Sequence, residues 1–315
     1  MNYSLRNNFN ILDIVFLKLY IKLRFKTMQR YYSPLRYPGG KASLLNFLRS
    51  VINYNSPIDT YIEPFAGGAG AALGLLINGS INKIIINDAD EFIYKFWDSI
   101  LRNKEKFIRK VENTPVNVKE YYKQKEILTN PKKRNSSSNL AIGFSTFYLN
   151  RCNRSGILRS GPIGGYNQNG KWKIDARFNK TDLIKRIELI NKFRNNIEVY
   201  NCDALDFLNE ILPNLNIDLK KTLIYLDPPY YNQGPELYRK FYNNGQHAEL
   251  RDFLLNVIKT KWVLSYDDVP QINELYNGIR INGYSKSHFA NKAKIGKELI
   301  IFSDNCVLPE SYEYK

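Results

Sequence analysis

The sequence predicts an α/β protein, a doubly wound sheet into which a second unit is inserted. Three observations predict it. Short apolar runs, several of them β-branched or aromatic and bounded by turn residues, recur from Thr60 to Phe302. Helical periodicity lies between them, as in Glu91–Leu101 and Leu183–Arg194. The alternation breaks once, over Phe92–Asn195, which reads as an inserted domain.

Residues 1–30 stand apart from this pattern. Ile11–Phe25 is apolar but carries Asp13, Lys18, Lys22 and Arg24. That is a basic amphipathic helix, too charged to cross a bilayer and without the small-residue cleavage site of a signal peptide. Met28 precedes QRYYSPLRYPGGK, which reads as a more natural start, so residues 1–27 are expected to be a dispensable extension or accessory helix. Candidate strands are Thr60–Pro64, Lys83–Asn87, Ile197–Cys202, Thr222–Leu226, Trp262–Ser265, Ile279–Ile281 and Glu298–Phe302. Residues 31–91 and 196–315 would form the sheet unit. The insertion, 92–195, holds the polar basic loop Pro131–Asn139 (PKKRNSSSN) and the glycine-rich SGILRSGPIGGYNQNGKW.

Composition narrows the function classes. Lys and Arg number 46 against 30 Asp and Glu, a net charge of +16, which favours a polyanionic partner because neutralising phosphates releases condensed counterions. The 23 tyrosines and 17 phenylalanines exclude a largely disordered chain. No uninterrupted apolar run is long enough for a membrane helix. Cys152, Cys202 and Cys306 are scattered, as reduced thiols of a cytoplasmic protein are, and His247 and His288 are too few for His-rich zinc chemistry. No metal site is expected.

The most informative motif is Asp227-Pro228-Pro229-Tyr230, with Tyr231 after it, at the end of the run Thr222–Leu226. Ligands of open α/β sheets bind beyond the carboxyl ends of the strands, so a carboxylate, a rigid turn and a ring would project into the crevice. The two prolines hold φ at about −65° and offer carbonyls with no competing N–H. Asp227 and the Pro228 carbonyl would accept both hydrogens of an exocyclic amine while Tyr230 stacks on its ring. Such an amine is a weak nucleophile because its lone pair is delocalised, and two acceptors draw the nitrogen toward a tetrahedral geometry. A sulfonium methyl donor is already activated, so neither metal nor acid is required. An Asp ahead of a proline turn is equally the start of an ordinary turn.

Glu63-Pro64-Phe65-Ala66-Gly67-Gly68-Ala69-Gly70 follows the first strand, where glycines allow a tight turn and close approach to a ligand ahead of a helix from Ala71. It is neither a G-x-G-x-x-G fingerprint nor a phosphate loop. Asn87-Asp88-Ala89-Asp90 ends the second strand, where an acid accepts ribose hydroxyls. Cys202-Asp203-Ala204 ends the third, placed to meet an adenine edge. Each alone also reads as a helix N-cap; their order along successive strand ends is what carries weight.

The sequence resembles the Dam-like (D12 class) N6-adenine DNA methyltransferases. The matching positions are Leu35-Arg36-Tyr37-Pro38-Gly39-Gly40-Lys41, Glu63–Gly70, Asn87–Asp90, Phe147-Tyr148-Leu149-Asn150-Arg151, Asp227–Tyr230 and the tail Lys297-Glu298-Leu299. The resemblance implies a Rossmann-like seven-stranded methyltransferase sheet with an inserted, mostly helical target-recognition domain, and S-adenosylmethionine as donor. It implies that Tyr37 and Lys41 contact the cofactor, with Phe65 and Gly67 beneath its methionine end. Asp88 would hold the ribose and Asp203 the cofactor adenine, while Asp227, Pro228 and Tyr230 would form the target-base pocket.

The loop after the Asn-Arg pair, CNRSGILRSGPIGGYNQNGKW, departs from the GATC-specific members, so their recognition site does not carry over. Arg151, Arg154 and Arg159 are the expected DNA-binding residues, reading guanines or contacting phosphates, with Asn167, Gln168 and Lys171 as weaker candidates. The expected function is methyl transfer to adenine N6 in duplex DNA with base flipping, by a cytoplasmic monomer working alone, beside a restriction endonuclease or in phage defence. The rivals are an amino-methyltransferase of cytosine N4 or RNA, and a basic DNA-binding protein without turnover. A nuclease has only Asp267-Asp268 to stand on, which reads as an exposed turn after a core strand.

Overall fold

The computed structural model describes residues 32–37, 40–231, 242–289 and 293–309, with 282–289 and 293–297 described by their backbone. The extension, including the amphipathic stretch Ile11–Phe25, lies outside the described residues, as do Pro38 and Gly39.

The strands are β1 (Thr60–Glu63), β2 (Lys83–Asn87), β3 (Ile197–Tyr200), β4 (Thr222–Leu226), β5 (Lys261–Asp267), β6 (Ile281–Phe289) and β7 (Ala293–Phe302). They form one sheet in the order β3-β2-β1-β4-β5-β7-β6. The first five pair in parallel, and β7 runs antiparallel to both β5 and β6. The strand order reverses at β1, which has β2 on one side and β4 on the other, and such a reversal opens a crevice at the carboxyl ends.

Side-chain alternation explains why short apolar runs suffice. Tyr61, Ile84, Ile86, Leu223, Tyr225 and Val263 face one apolar cluster, and Ile62, Ile85, Ile224, Leu226, Trp262 and Leu264 face the other. A strand buried on both faces has no polar side to show, hence the unbroken runs IIIN and TLIYL.

Helices α1 (Leu45–Tyr54) and α2 (Gly70–Ile77) flank β1 in sequence. The insertion carries α3 (Glu91–Arg102), α4 (Lys104–Asn113), α5 (Val118–Thr129), α6 (Pro131–Asn135), α7 (Asn139–Cys152) and α8 (Lys180–Asn191). Asp90, Ser138 and Asn179 cap α3, α7 and α8 by accepting backbone N–H groups. Phe96, Phe107, Phe147 and Ile187 of these helices belong to the same apolar cluster as Tyr61 and Tyr225 of the sheet. Two later helices, α9 (Asn244–Asp252) and α10 (Pro270–Leu275), lie between β4 and β6 in sequence.

Some boundaries differ from the expectation. The loop expected over Pro131–Asn139 opens with α6, because Asn130 accepts from Lys132 N at 3.0 Å and Pro131 stands at the first helical position. The third strand stops at Tyr200, two residues early, where the Asn87 side chain captures Cys202. The strand expected at Ile279–Ile281 begins instead at Ile281 and runs to Phe289.

Candidate active site

The site is built where β1, β2, β3 and β4 end. Beyond β1 the chain turns through Gly67, whose φ of +48° favours glycine and whose Cβ, if present, would lie 2.5 Å from the Tyr37 ring. Tyr37 therefore packs directly on the turn. Gly67 N donates to Asp88 Oδ2 at 2.8 Å, and its carbonyl accepts from Trp97 Nε1 at 3.0 Å. The other Asp88 oxygen accepts from Asp90 N at 2.8 Å. Burial, and then the charge of Asp90, push the Asp88 carboxyl up to about 7.

Asn87 ties three strand ends together. Its amide donates to Pro64 O at 3.0 Å and Cys202 O at 3.1 Å, and its Oδ1 accepts from Cys202 N at 3.1 Å. Asp203 follows as the cap of a short helical turn, accepting from Leu205 N at 2.8 Å and from the Tyr242 hydroxyl at 3.2 Å. Tyr242 meets Phe65 edge to face, ring centroids 5.5 Å apart.

After β4, Asp227 Oδ1 accepts from Lys41 Nζ at 2.7 Å and from Ser265 Oγ at 2.9 Å. Ser265 in turn stands 2.8 Å from the Tyr225 hydroxyl, which donates to it. Lys41 also donates to the Tyr230 hydroxyl at 3.1 Å, and that hydroxyl donates to Glu298 Oε1. Glu298 Oε1 is itself 3.8 Å from Lys41 Nζ. Burial alone would lower the Lys41 ammonium, but Asp227, Tyr230 and Glu298 outweigh it and hold it well above the usual lysine value. Pro228 is buried, and Tyr230 is 5% exposed with its ring turned into this network.

A cleft of about 430 Å³ joins these parts, lined among others by Tyr37, Lys41, Phe65, Asp88, Asp203 and Asp227. Six of the nine residues expected to bind cofactor or base thus share one cavity. Gly67 lies under Tyr37, Pro228 and Tyr230 are buried, and Pro229 lines the cleft beside Asp227. Glu63 also lines the cleft; burial pushes its carboxyl up to about 8 while it accepts from Tyr61 Oη and Ala72 N, both at 3.1 Å. Sequence reasoning assigned no role to Glu63, Asn87, Ser265, Tyr242 or Glu298. Glu63, Asn87 and Glu298 stand inside quoted motifs, which was the available signal; Ser265 and Tyr242 had none.

The expected DNA-binding arginines divide. Arg154 and Arg159 are exposed on the loop after α7. Arg151 turns inward, donating to Arg177 O at 2.7 Å and Pro34 O at 3.4 Å. Burial and then the neighbouring Arg36 and Arg186 push its guanidinium down to about 9, still protonated at neutral pH. Gln168 braces its own loop, bonded to Ile163 O, Gly165 O and Ile174 N, whereas Asn167 and Lys171 are exposed. Beside them Tyr122 and Tyr166 stack 5.8 Å apart, both exposed, with Lys125 Nζ 5.6 Å from the Tyr166 ring.

The D12 class N6 adenine-specific DNA methyltransferase family matches residues 37–290, most of the chain and every wall of the cleft. The chain belongs to this family. Its class makes it a DNA adenine-N6 methyltransferase with S-adenosylmethionine as methyl donor. Similar proteins include the Type II methyltransferase M.MjaIII of Methanocaldococcus jannaschii, 24% identical over 78% of this chain and 88% of its own. M.CviBI of Paramecium bursaria Chlorella virus NC1A is 23% identical over 84% of this chain and 95% of its own. M.FokI of Planomicrobium okeanokoites is 25% identical over 73% of this chain, which spans only 34% of that longer protein. Among solved structures, the rRNA methyltransferase aviRa of Streptomyces viridochromogenes aligns over 85% of this chain and 84% of its own at 8% identity and TM-score 0.36, too loosely to carry an argument.

The cleft's residues suit the family's donor. Carboxylates at the ends of β2 and beyond β3 are of the kind that ribose hydroxyls and an exocyclic amine can donate to, and the glycine turn sits at the N-terminus of α2. Among the described residues no group of His, Cys, Asp and Glu is arranged to hold a metal, and no helix is long and apolar enough to cross a membrane.

Proposed function

We propose that this methyltransferase acts at a specific site in duplex DNA, on an adenine turned out of the stack, with Asp227 as the acceptor of the target amine. The observation that carries the proposal is the Asp227 carboxylate, held at the cleft by Lys41 and Ser265 and directly continuous with the Asp88 and Asp203 walls. When bound, S-adenosylmethionine supplies an electrophilic methyl on a sulfonium. Asp88 would take its ribose, Asp203 its adenine, and Tyr37, Lys41, Phe65 and Gly67 its amino-acid end. Asp227 and Pro228 would receive the two amine hydrogens of the target, with Tyr230 against its ring. Extruding the base costs a few kcal/mol, offset by contacts in the pocket.

In this reading 31–91 and 196–315 form the catalytic unit and 92–195 the target-recognition unit. Exposed Arg154 and Arg159 would meet the DNA, and Arg151 would brace the loop that presents them. In the same reading the chain works as a cytoplasmic monomer, and the Type II naming of the relatives favours a companion restriction endonuclease. Two variants test the roles. Asp227→Ala should abolish turnover and leave cofactor affinity within about twofold, whereas Asp88→Ala should weaken cofactor binding first. Loss of cofactor binding in Asp227→Ala would overturn its assignment.

A further inference from the structure

Tyr242 stands in none of the motifs at the strand ends, yet it lines the cleft and touches two of the residues assigned to the cofactor. Its hydroxyl donates to Asp203 Oδ1 at 3.2 Å, across 39 residues of sequence, and its ring meets Phe65 edge to face with centroids 5.5 Å apart. Burial, and then the charge of Asp203, push the phenol up, so it stays a donor at any working pH. Leu205 N, two residues beyond Asp203, donates to the same oxygen at 2.8 Å. That local bond is an ordinary helix cap and does not need Tyr242. The long-range bond adds a second direction, and two donors on one oxygen set the plane of the carboxylate.

Tyr242 is itself fixed. It precedes Asn243, the cap of α9, which exchanges two hydrogen bonds with Gln246, both at 3.0 Å. His247 follows on that helix, 1% exposed, with its ring 5.7 Å from Tyr242 and its Nδ1 2.7 Å from the Tyr266 hydroxyl of β5. The Tyr242 ring thus has Phe65, beyond β1, as one neighbour and His247, tied to β5, as another. A carboxylate beside two rings set edge to face makes an apolar corner with one acceptor edge. A purine carrying an exocyclic amine suits such a corner, whereas a 6-oxo purine would turn a carbonyl oxygen toward the carboxylate. We propose that Tyr242 is a positioning residue for cofactor selectivity: its hydroxyl orients Asp203 to accept the 6-amino group of the cofactor's purine, and its ring forms with Phe65 the corner against which that purine packs.

This role rests on Asp203 as the acceptor of the cofactor adenine. Its test is calorimetric titration of the full chain with S-adenosylhomocysteine and with S-inosylhomocysteine, which differ at the 6-position of the purine. The unmutated chain should prefer the adenosyl ligand about tenfold or more, as a site built to receive an N–H does. Tyr242→Phe keeps the ring between its neighbours and removes only the hydroxyl. It should cut that preference about three- to tenfold while kcat at saturating cofactor stays within about twofold. Asp203→Ala should erase the preference, and adding Tyr242→Phe to it should change the ratio by less than about twofold more. An undiminished preference in Tyr242→Phe, an equal weakening of both ligands as a mere brace would give, or losses that multiply in the double variant would overturn the proposal. An unmutated chain without preference, or an Asp203→Ala chain that keeps it, would instead overturn the adenine role of Asp203 and the proposal with it, so the two failures are distinguishable.

Discussion

At the residue scale, burial governs the protonation of two carboxylates of the site, Asp88 and Glu63. Asp88 is lifted to about 7, and in its proposed role ribose hydroxyls would donate to its ionised form. Cofactor affinity should therefore rise between pH 6 and 8, and Asp88→Asn should weaken binding about tenfold or more and flatten that rise. Calorimetric titration across pH checks this; a flat profile in the unmutated protein would remove Asp88 from the ribose role. Glu63 has a folded value of about 8, above the ordinary 4.5. The folded protein keeps a proton that the unfolded chain releases in that window, so this group's contribution to stability is full at low pH and declines as pH rises from about 4.5 to about 8. Glu63→Gln should melt with less pH dependence over that range in thermal denaturation. Asp88, Asp227 and Lys41 were legible because each sits in a motif at a strand end or in the N-terminal segment. Ser265 lies in no motif and takes its meaning from a contact made across 38 residues, while Glu298 stands in a motif whose meaning comes only from a contact across 68.

At the element scale the N-terminal segment and the insertion are joined by Asn150 of α7. Its Oδ1 accepts from Arg36 N at 2.7 Å, and its amide donates to Arg36 O at 2.7 Å and Gly156 O at 2.8 Å, all with the side chain 1% exposed. Gly156 completes the joint at φ +77°, with any Cβ only 2.2 Å from Arg36 O. Asn150→Leu strands these groups at about 1–3 kcal/mol each, so a melting temperature lower by roughly 5 °C or more is expected. A melt indistinguishable from the unmutated protein would show that the staple is dispensable. Of the Asn-Arg pair, the sequence points Arg151 toward DNA and assigns Asn150 only to a motif. The structure turns Asn150 and Arg151 toward the protein, because backbone carbonyls and N–H groups of the Arg36 and Pro34 segment must be satisfied once buried. Helix α6 was hidden for a different reason, its polar composition masking a proline start and an asparagine cap. The β6–β7 hairpin was hidden because its distal residues, such as Gly283, Ser285 and Lys286, carry no apolar run.

At the scale of the whole molecule, the strand–helix alternation predicted the doubly wound sheet and the crevice at its reversal, since both follow from burial on two faces. How the insertion meets DNA does not follow from periodicity and rests on charge. Binding to duplex DNA should weaken with salt, and replacing exposed Arg154 and Arg159 by Ala should lower the slope of log K against log salt by about one for each phosphate contact removed. An unchanged slope would leave both as solvated charges. The central claim, methyl transfer to adenine N6 with Asp227 as amine acceptor, is tested most directly by incubating unmethylated duplex DNA with labelled S-adenosylmethionine and identifying the modified nucleoside by mass spectrometry. N6-methyladenine formed by the unmutated chain and absent with Asp227→Ala is the predicted result. A modified cytosine, or N6-methyladenine formed equally by Asp227→Ala, would contradict it.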